Sequence, residues 1–124
     1  MRSPVVVFLR SADWEARWLA VSAALSAAAL GAPVQLALFG APLRAFVEGR
    51  FDEGAPPAAE EGGAARLSAS LDEARAALGL RVVACDTALR LAGLESGGAL
   101  PPLDAVVSLP SLVRDAQAGS ALSF

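Results

Sequence analysis

The sequence predicts an α/β protein built as three layers, α/β/α, on a mostly parallel five-stranded sheet. Three observations predict it. Short apolar runs rich in Val and Leu, without polar alternation, stand at 4–9, 34–39, 80–84 and 103–108. That is the mark of strands buried on both faces. Segments with helical spacing separate these runs, and alternation of this kind makes parallel crossovers. Glycine and proline fall where one pattern changes to the other, as in Gly31-Ala32-Pro33 and Gly40-Ala41-Pro42. At 124 residues the chain reads as one domain, 1–124. It is 55% hydrophobic, much of it alanine, so helices packed closely on a sheet are expected rather than a few large aromatic anchors.

Pro4-Val5-Val6-Val7-Phe8-Leu9 opens the chain as a buried strand. Ser11 or Asp13 is placed to cap the helix that follows, read over 13–30. Trp14, Trp18, Val21, Leu25 and Ala28 fall at steps of four, three, four and three and so share one face. Gly31 ends this helix and Pro33 forbids its continuation. The second strand is 34–39, and Pro42 then suits the first position of a short helix over 43–48. From 50 to about 65 the apolar period dissolves into Gly, Pro, Ala and Glu, which predicts a mobile surface loop. Ser70 and Glu73 match a capping box for a helix whose face carries Leu71, Ala74 and Leu78, with Gly79 as its stop. The third strand runs to Cys85, and a short helix follows and closes at Gly93. A Gly/Pro loop is read at 95–102, a fourth strand at 103–108, a helix from Pro110 or Ser111 to about Ala118, and a last short strand at 120–124.

Composition excludes much chemistry. The net charge is −3, all ten cationic side chains are arginine, and lysine, histidine, tyrosine and asparagine are absent. The Arg and Ala bias reads as a codon effect, as expected of a GC-rich bacterial genome, rather than as chemistry. Without histidine there is no Ser-His-Asp triad or Cys-His pair. Without lysine there is no Schiff base, P-loop lysine or receiver-domain lysine. One cysteine and no histidine leave no zinc set, and no GxGxxG offers a dinucleotide site, so no cofactor or metal is expected. The segment after the first strand lacks the closely spaced Gly and Ser/Thr of a flavodoxin phosphate loop. The arginines are scattered in sequence and the balance is acidic, which argues against nucleic acid. A single cysteine suits a reducing cytoplasm. Residues 18–43 carry no charge, but the breaks at Gly31 and Gly40 make a helix and a buried strand a better reading than a membrane span. The run 4–9, followed by Arg10, is too short for a signal-peptide core.

In an open α/β sheet, ligands bind outside the carboxyl ends of the strands. Those ends supply Arg10 and Ser11, Phe39 and Gly40, Cys85, Asp86 and Thr87, and Ser108. Cys85 is the candidate nucleophile. A lone cysteine in an apolar run is ordinarily a small buried hydrophobe. At a strand end where a helix begins, however, it meets N–H groups that favour a thiolate. Asp86 opposes that by repulsion, and Arg10, if it reaches across, offsets it. Arg10 otherwise reads as a solvated arginine. Ser11 and Thr87 read as helix caps first and ligand contacts second. Trp14 and Trp18 read as core or interface before ring-stacking residues.

The stretch Val82-Val83-Ala84-Cys85-Asp86-Thr87-Ala88-Leu89-Arg90-Leu91-Ala92-Gly93-Leu94 resembles the DsrE/DsrF-like family, whose members often carry V-x-A-C-x-x-S/A-x-x-x-x-G-L/I after the third strand. Leu112-Val113-Arg114-Asp115-Ala116-Gln117-Ala118-Gly119-Ser120-Ala121-Leu122-Ser123-Phe124 is similar to that family's last helix and closing strand. The resemblance implies a three-layer fold and a homo-oligomer, a trimer or hexamer. It also implies a small sulfur carrier or sulfurtransferase-like protein in which Cys85 holds sulfane sulfur as a persulfide, between a donor and an acceptor protein. Two other classes stand beside it. One is an oligomeric binding or scaffold module in which Cys85 only packs. The other is a redox sensor working through a Cys85 sulfenic acid, with no resolving cysteine in the chain.

Overall fold

The computed structural model describes residues 2–94 and 102–124. In chain order the elements are β1 (Val5–Leu9), α1 (Trp14–Ala29), β2 (Val34–Leu38), α2 (Gly40–Val47), α3 (Pro57–Glu61), α4 (Leu67–Leu78), β3 (Arg81–Cys85), α5 (Asp86–Leu91), β4 (Ala105–Val107), α6 (Leu109–Ala118) and β5 (Ser120–Ser123). The strands form one sheet in the order β4-β3-β2-β1-β5, and every neighbouring pair is parallel. This is the expected α/β/α architecture. The Gly/Pro loop read at 95–102 lies, apart from Pro102, outside the described residues.

The two faces of the sheet are covered unequally. Val7, Leu9, Leu36, Leu38, Val82 and Ala84 meet α1, α2, α4 and α5 in the larger core. Their strand neighbours Val6, Ala37 and Val83 point the other way, onto Leu112 of α6. Gln35 Nε2 donates to Asp115 Oδ2 at 2.8 Å and pins α6 to β2. Phe8, Phe39 and Val107 on that second face are only partly buried.

Several expected boundaries moved, each for a physical reason. Asp13 does cap α1, accepting from Ala16 N–H. The buried stripe of α1 is Arg17, Ala20, Val21, Ala24 and Ala28, however, and Trp18 stays 37% exposed. Helix α2 begins at Gly40, so Pro42 sits in its third position, where a missing N–H still costs nothing. Helix α4 begins at Leu67 rather than at the Ser70 box, because Asp52, from a distant segment, accepts from both Ser68 N–H (2.8 Å) and Ser68 Oγ (3.1 Å). Leu71 and Ala74 are buried but Leu78 is exposed. Gly79 ends α4 at φ 69°, a left-handed C-cap that glycine adopts without strain. The stretch 50–65, expected to lack structure, contains α3, and Phe51 within it is fully buried against Phe46 and Arg17.

Candidate functional site

β3 delivers Cys85 to the carboxyl edge of the sheet because Val82, Val83 and Ala84 are buried on both faces and allow the strand no freedom to turn. The backbone then enters α5, with Cys85 itself as the N-cap at extended φ and ψ. Its Sγ takes the role a Ser or Asp oxygen usually fills, accepting from Ala88 N–H at 3.2 Å. Cys85 is 4% exposed. The expected cap, Thr87, is instead inside the first turn of α5 and exposed. Asp86 is drawn along its own helix to Arg90, Oδ2 to Nη2 at 3.0 Å, the favourable acid-before-base spacing of i and i+4. Its charge is thereby partly compensated on the solvent side of α5.

Arg10 and Ser11 are elsewhere. They follow β1, which is separated from β3 by β2, about 10 Å across at the usual strand spacing. Arg10 N–H donates to Phe124 O at 2.9 Å. With Phe8, Phe39, Ser123 and Phe124, Arg10 lines a groove of about 300 Å³ at the β1/β5 end of the sheet. Ser11 Oγ accepts from Asp13 N–H at 3.2 Å, a local turn before α1. Cys85, Asp86 and Thr87 therefore form one junction, and Arg10 and Ser11 belong to another part of the same edge.

Between them, over the carboxyl ends of β1 and β2, lies a cleft of about 430 Å³ into which Arg17, Arg44, Arg50 and Glu53 project. Sequence reasoning missed these arginines because they lie on α1, on α2 and just after it. A signal for one was present: Arg17 falls three after Trp14 and four before Val21, on the helix stripe that packs against the sheet. It is 7% exposed. Its Nη1 donates to Phe51 O and its Nη2 to Glu53 O at 2.6 Å, while Nε is buried with no partner. Burial lowers its pKa, and the charges of Asp13, Asp52 and Glu53 oppose that. Arg44 donates to Ala92 O at the end of α5 and so ties α2 to α5. Among the described residues no group of three or more Cys, Asp or Glu is placed to hold a metal ion.

No family model matches the chain, and no curated protein matches it by sequence. Among solved structures it is similar to the crystal structure of the YchN protein from Escherichia coli, with a TM-score of 0.67, 17% sequence identity and 100% of both chains covered. At that identity the likeness is one of fold, and the fold of YchN is DsrE-like.

Proposed function

We propose that this chain is a sulfur carrier of the DsrE/DsrF-like kind, in which Cys85 holds sulfane sulfur as a persulfide. The observation that carries the reading is the thiol's place as N-cap, with Sγ already accepting the Ala88 N–H at 3.2 Å. A donor of that kind stabilises negative charge on sulfur. The pairing of Asp86 with Arg90 supports the reading too, because it turns the neighbouring carboxylate toward a cation of its own.

In the proposed cycle the Cys85 thiolate attacks the outer sulfur of a donor persulfide. A new S–S bond forms at Cys85, the donor's S–S bond breaks, and the donor leaves as thiolate. An acceptor thiolate then attacks the outer sulfur on Cys85, and Cys85 leaves as thiolate in turn. No net oxidant or reductant is needed. Such a cycle belongs in a reducing compartment, which we take to be the cytoplasm. Among the described residues no helix is long and apolar enough to cross a membrane. The thinly covered second face, with Leu109 and Val113 of α6 exposed, suits assembly of copies into the trimer or hexamer that the family resemblance implies.

The burial of Cys85 favours a second reading, an oligomeric scaffold in which the thiol only packs. Intact mass after incubation with polysulfide separates the two. The sulfur-carrier reading expects a gain of one sulfur atom on the wild type and none on Cys85→Ser. An unmodified wild type, or an adduct that survives in Cys85→Ser, overturns it, and alkylation of the native thiol only at the rate of unfolding then identifies the scaffold.

A further inference from the structure

The cleft over β1 and β2 is a cationic site in an acidic protein. Three guanidiniums, of Arg17, Arg44 and Arg50, face one carboxylate, Glu53, although the chain as a whole carries −3. Among the described residues, neither Arg17 nor Arg44 takes part in an ion pair. Arg50 does, with Glu48 and more distantly Glu53, but those side chains are about half exposed and such a pair exchanges readily.

Arg17 is the unusual member. Burying a guanidinium without a carboxylate is costly, and proteins ordinarily pair such a charge. Here two backbone carbonyls hold it in place, its Nε has no partner, and Asp13, Asp52 and Glu53 act on its charge only through space, with no carboxylate in an ion pair with it among the described residues. The start of α2 makes a second, independent contribution. No side chain caps α2, Phe39 N–H is taken by Leu9 O, and Pro42 has no N–H. That leaves the Gly40 and Ala41 N–H groups without backbone partners among the described residues, and both residues line the cleft. Free N–H groups at a helix start, facing guanidiniums, are the chemistry that recognises a phosphate group. The remaining wall, Ala12, Ala45, Leu91 and Ala92, is apolar. The volume is that of a small-molecule site rather than of a bare ion.

We propose that this cleft binds a phosphate group, either as free phosphate or as the head of a small organic ester whose apolar part lies against Leu91 and Ala92. Arg17 and Arg44 supply its fixed charge, the Gly40 and Ala41 amides its directional donors, and Arg50 exchanges Glu48 for the ligand. None of Cys85, Asp86 and Thr87 lines the cleft, so the proposal stands apart from the sulfur reading.

Calorimetric titration at constant ionic strength tests it, with inorganic phosphate and phenyl phosphate as probes and chloride as the control anion. The folded full chain is expected to bind one phosphate probe saturably, and the two probes distinguish the sources. Tighter binding of phenyl phosphate identifies an ester site, and equal binding identifies a phosphate site. Arg44→Gln changes an exposed side chain and is expected to weaken binding about tenfold. Ala41→Asp places a carboxylate where it favours the helix start but repels the ligand, and is expected to weaken binding at least as much. Absence of saturable binding of both probes below about 10 mM, or unchanged affinity in either variant, overturns the proposal.

Discussion

At the scale of single residues, the ionised side chains that matter structurally are those that tie distant segments together. Arg75 of α4 reaches across to the segment entering β4, donating to Pro102 O at 2.6 Å and to Asp104 Oδ1 at 2.8 Å. Asp104 Oδ2 accepts from Val82 N–H at 2.7 Å and lengthens the β3–β4 pairing by one step. Burial alone would raise the Asp104 carboxyl. The hydrogen bonds from Arg75 and Val82, with the charges of Arg75 and Arg81, outweigh it and hold the carboxyl below its ordinary range. A depressed carboxyl stabilises the fold fully above its unfolded-chain pKa and ceases to do so as pH falls through the folded value. Asp104→Ala is therefore expected to cost about 2 kcal/mol at neutral pH, from urea denaturation. The difference from wild type should shrink steadily below about pH 4. A difference that is constant down to acid would show that Asp104 acts through packing. At the same scale, Cys85 was legible as the strand-end thiol, because the apolar run before it is unambiguous. The direction of Asp86 was not, since Arg90 competes for it only once α5 has formed.

At the scale of elements, what was legible was whatever is decided locally. The β-branched and leucine runs became strands, and Gly79 ended its helix as expected. What escaped depended on groups far away in sequence. The capping box at Ser70 and Glu73 was overruled by Asp52, which caps α4 one turn earlier. The stretch 50–65 is anchored by the burial of Phe51, whose backbone carbonyl accepts from Arg17 of α1. The entry to β5 shows how tight such nonlocal fits become. Ser120 N–H donates to Pro4 O at 3.0 Å, and a Cβ on Gly119 would stand 1.8 Å from that same carbonyl oxygen. Gly119→Ala must push β5 away from β1, and a loss of about 3 kcal/mol is expected. Faster amide exchange at Ser120 and Leu122 than in the wild type should accompany it. An unchanged denaturation midpoint would mean that the α6–β5 turn relaxes freely.

At the scale of the whole molecule, the fold class was legible and the strand order was not. Alternation of strands and helices dictates a parallel sheet, but nothing local says that β5 joins the sheet beyond β1. That placement comes from α6 crossing the second face, which among the described residues no other helix covers. Leu109 and Val113, one helical turn apart on α6, stay exposed, Val113 at 42%. In the proposed assembly of copies they lie between chains. Val113→Asp, a change at a solvent-facing position, is then expected to keep the far-ultraviolet circular dichroism of the wild type while moving the sedimenting mass toward one chain. A wild type that already sediments as one chain at micromolar concentration would remove the oligomer from the functional reading. The cleft arginines were illegible at every smaller scale: positions 17, 44 and 50 are a scatter along the chain and come to line one cleft only in the folded molecule.

The pairing of β1 with β5 has a bearing on how the molecule comes into being. Val5 finds its partner Ser120 only after every other strand of the sheet has been made. During synthesis, β1 therefore emerges first and waits longest with one row of N–H and C=O groups open. In that interval a second nascent chain on the same message offers the same unpaired strand. Parallel pairing over such a separation is also slow by nature. β5 thus acts as a latch on β1, and a ribosome that stalls short of Ser120 leaves β1 as an edge strand in place of β5.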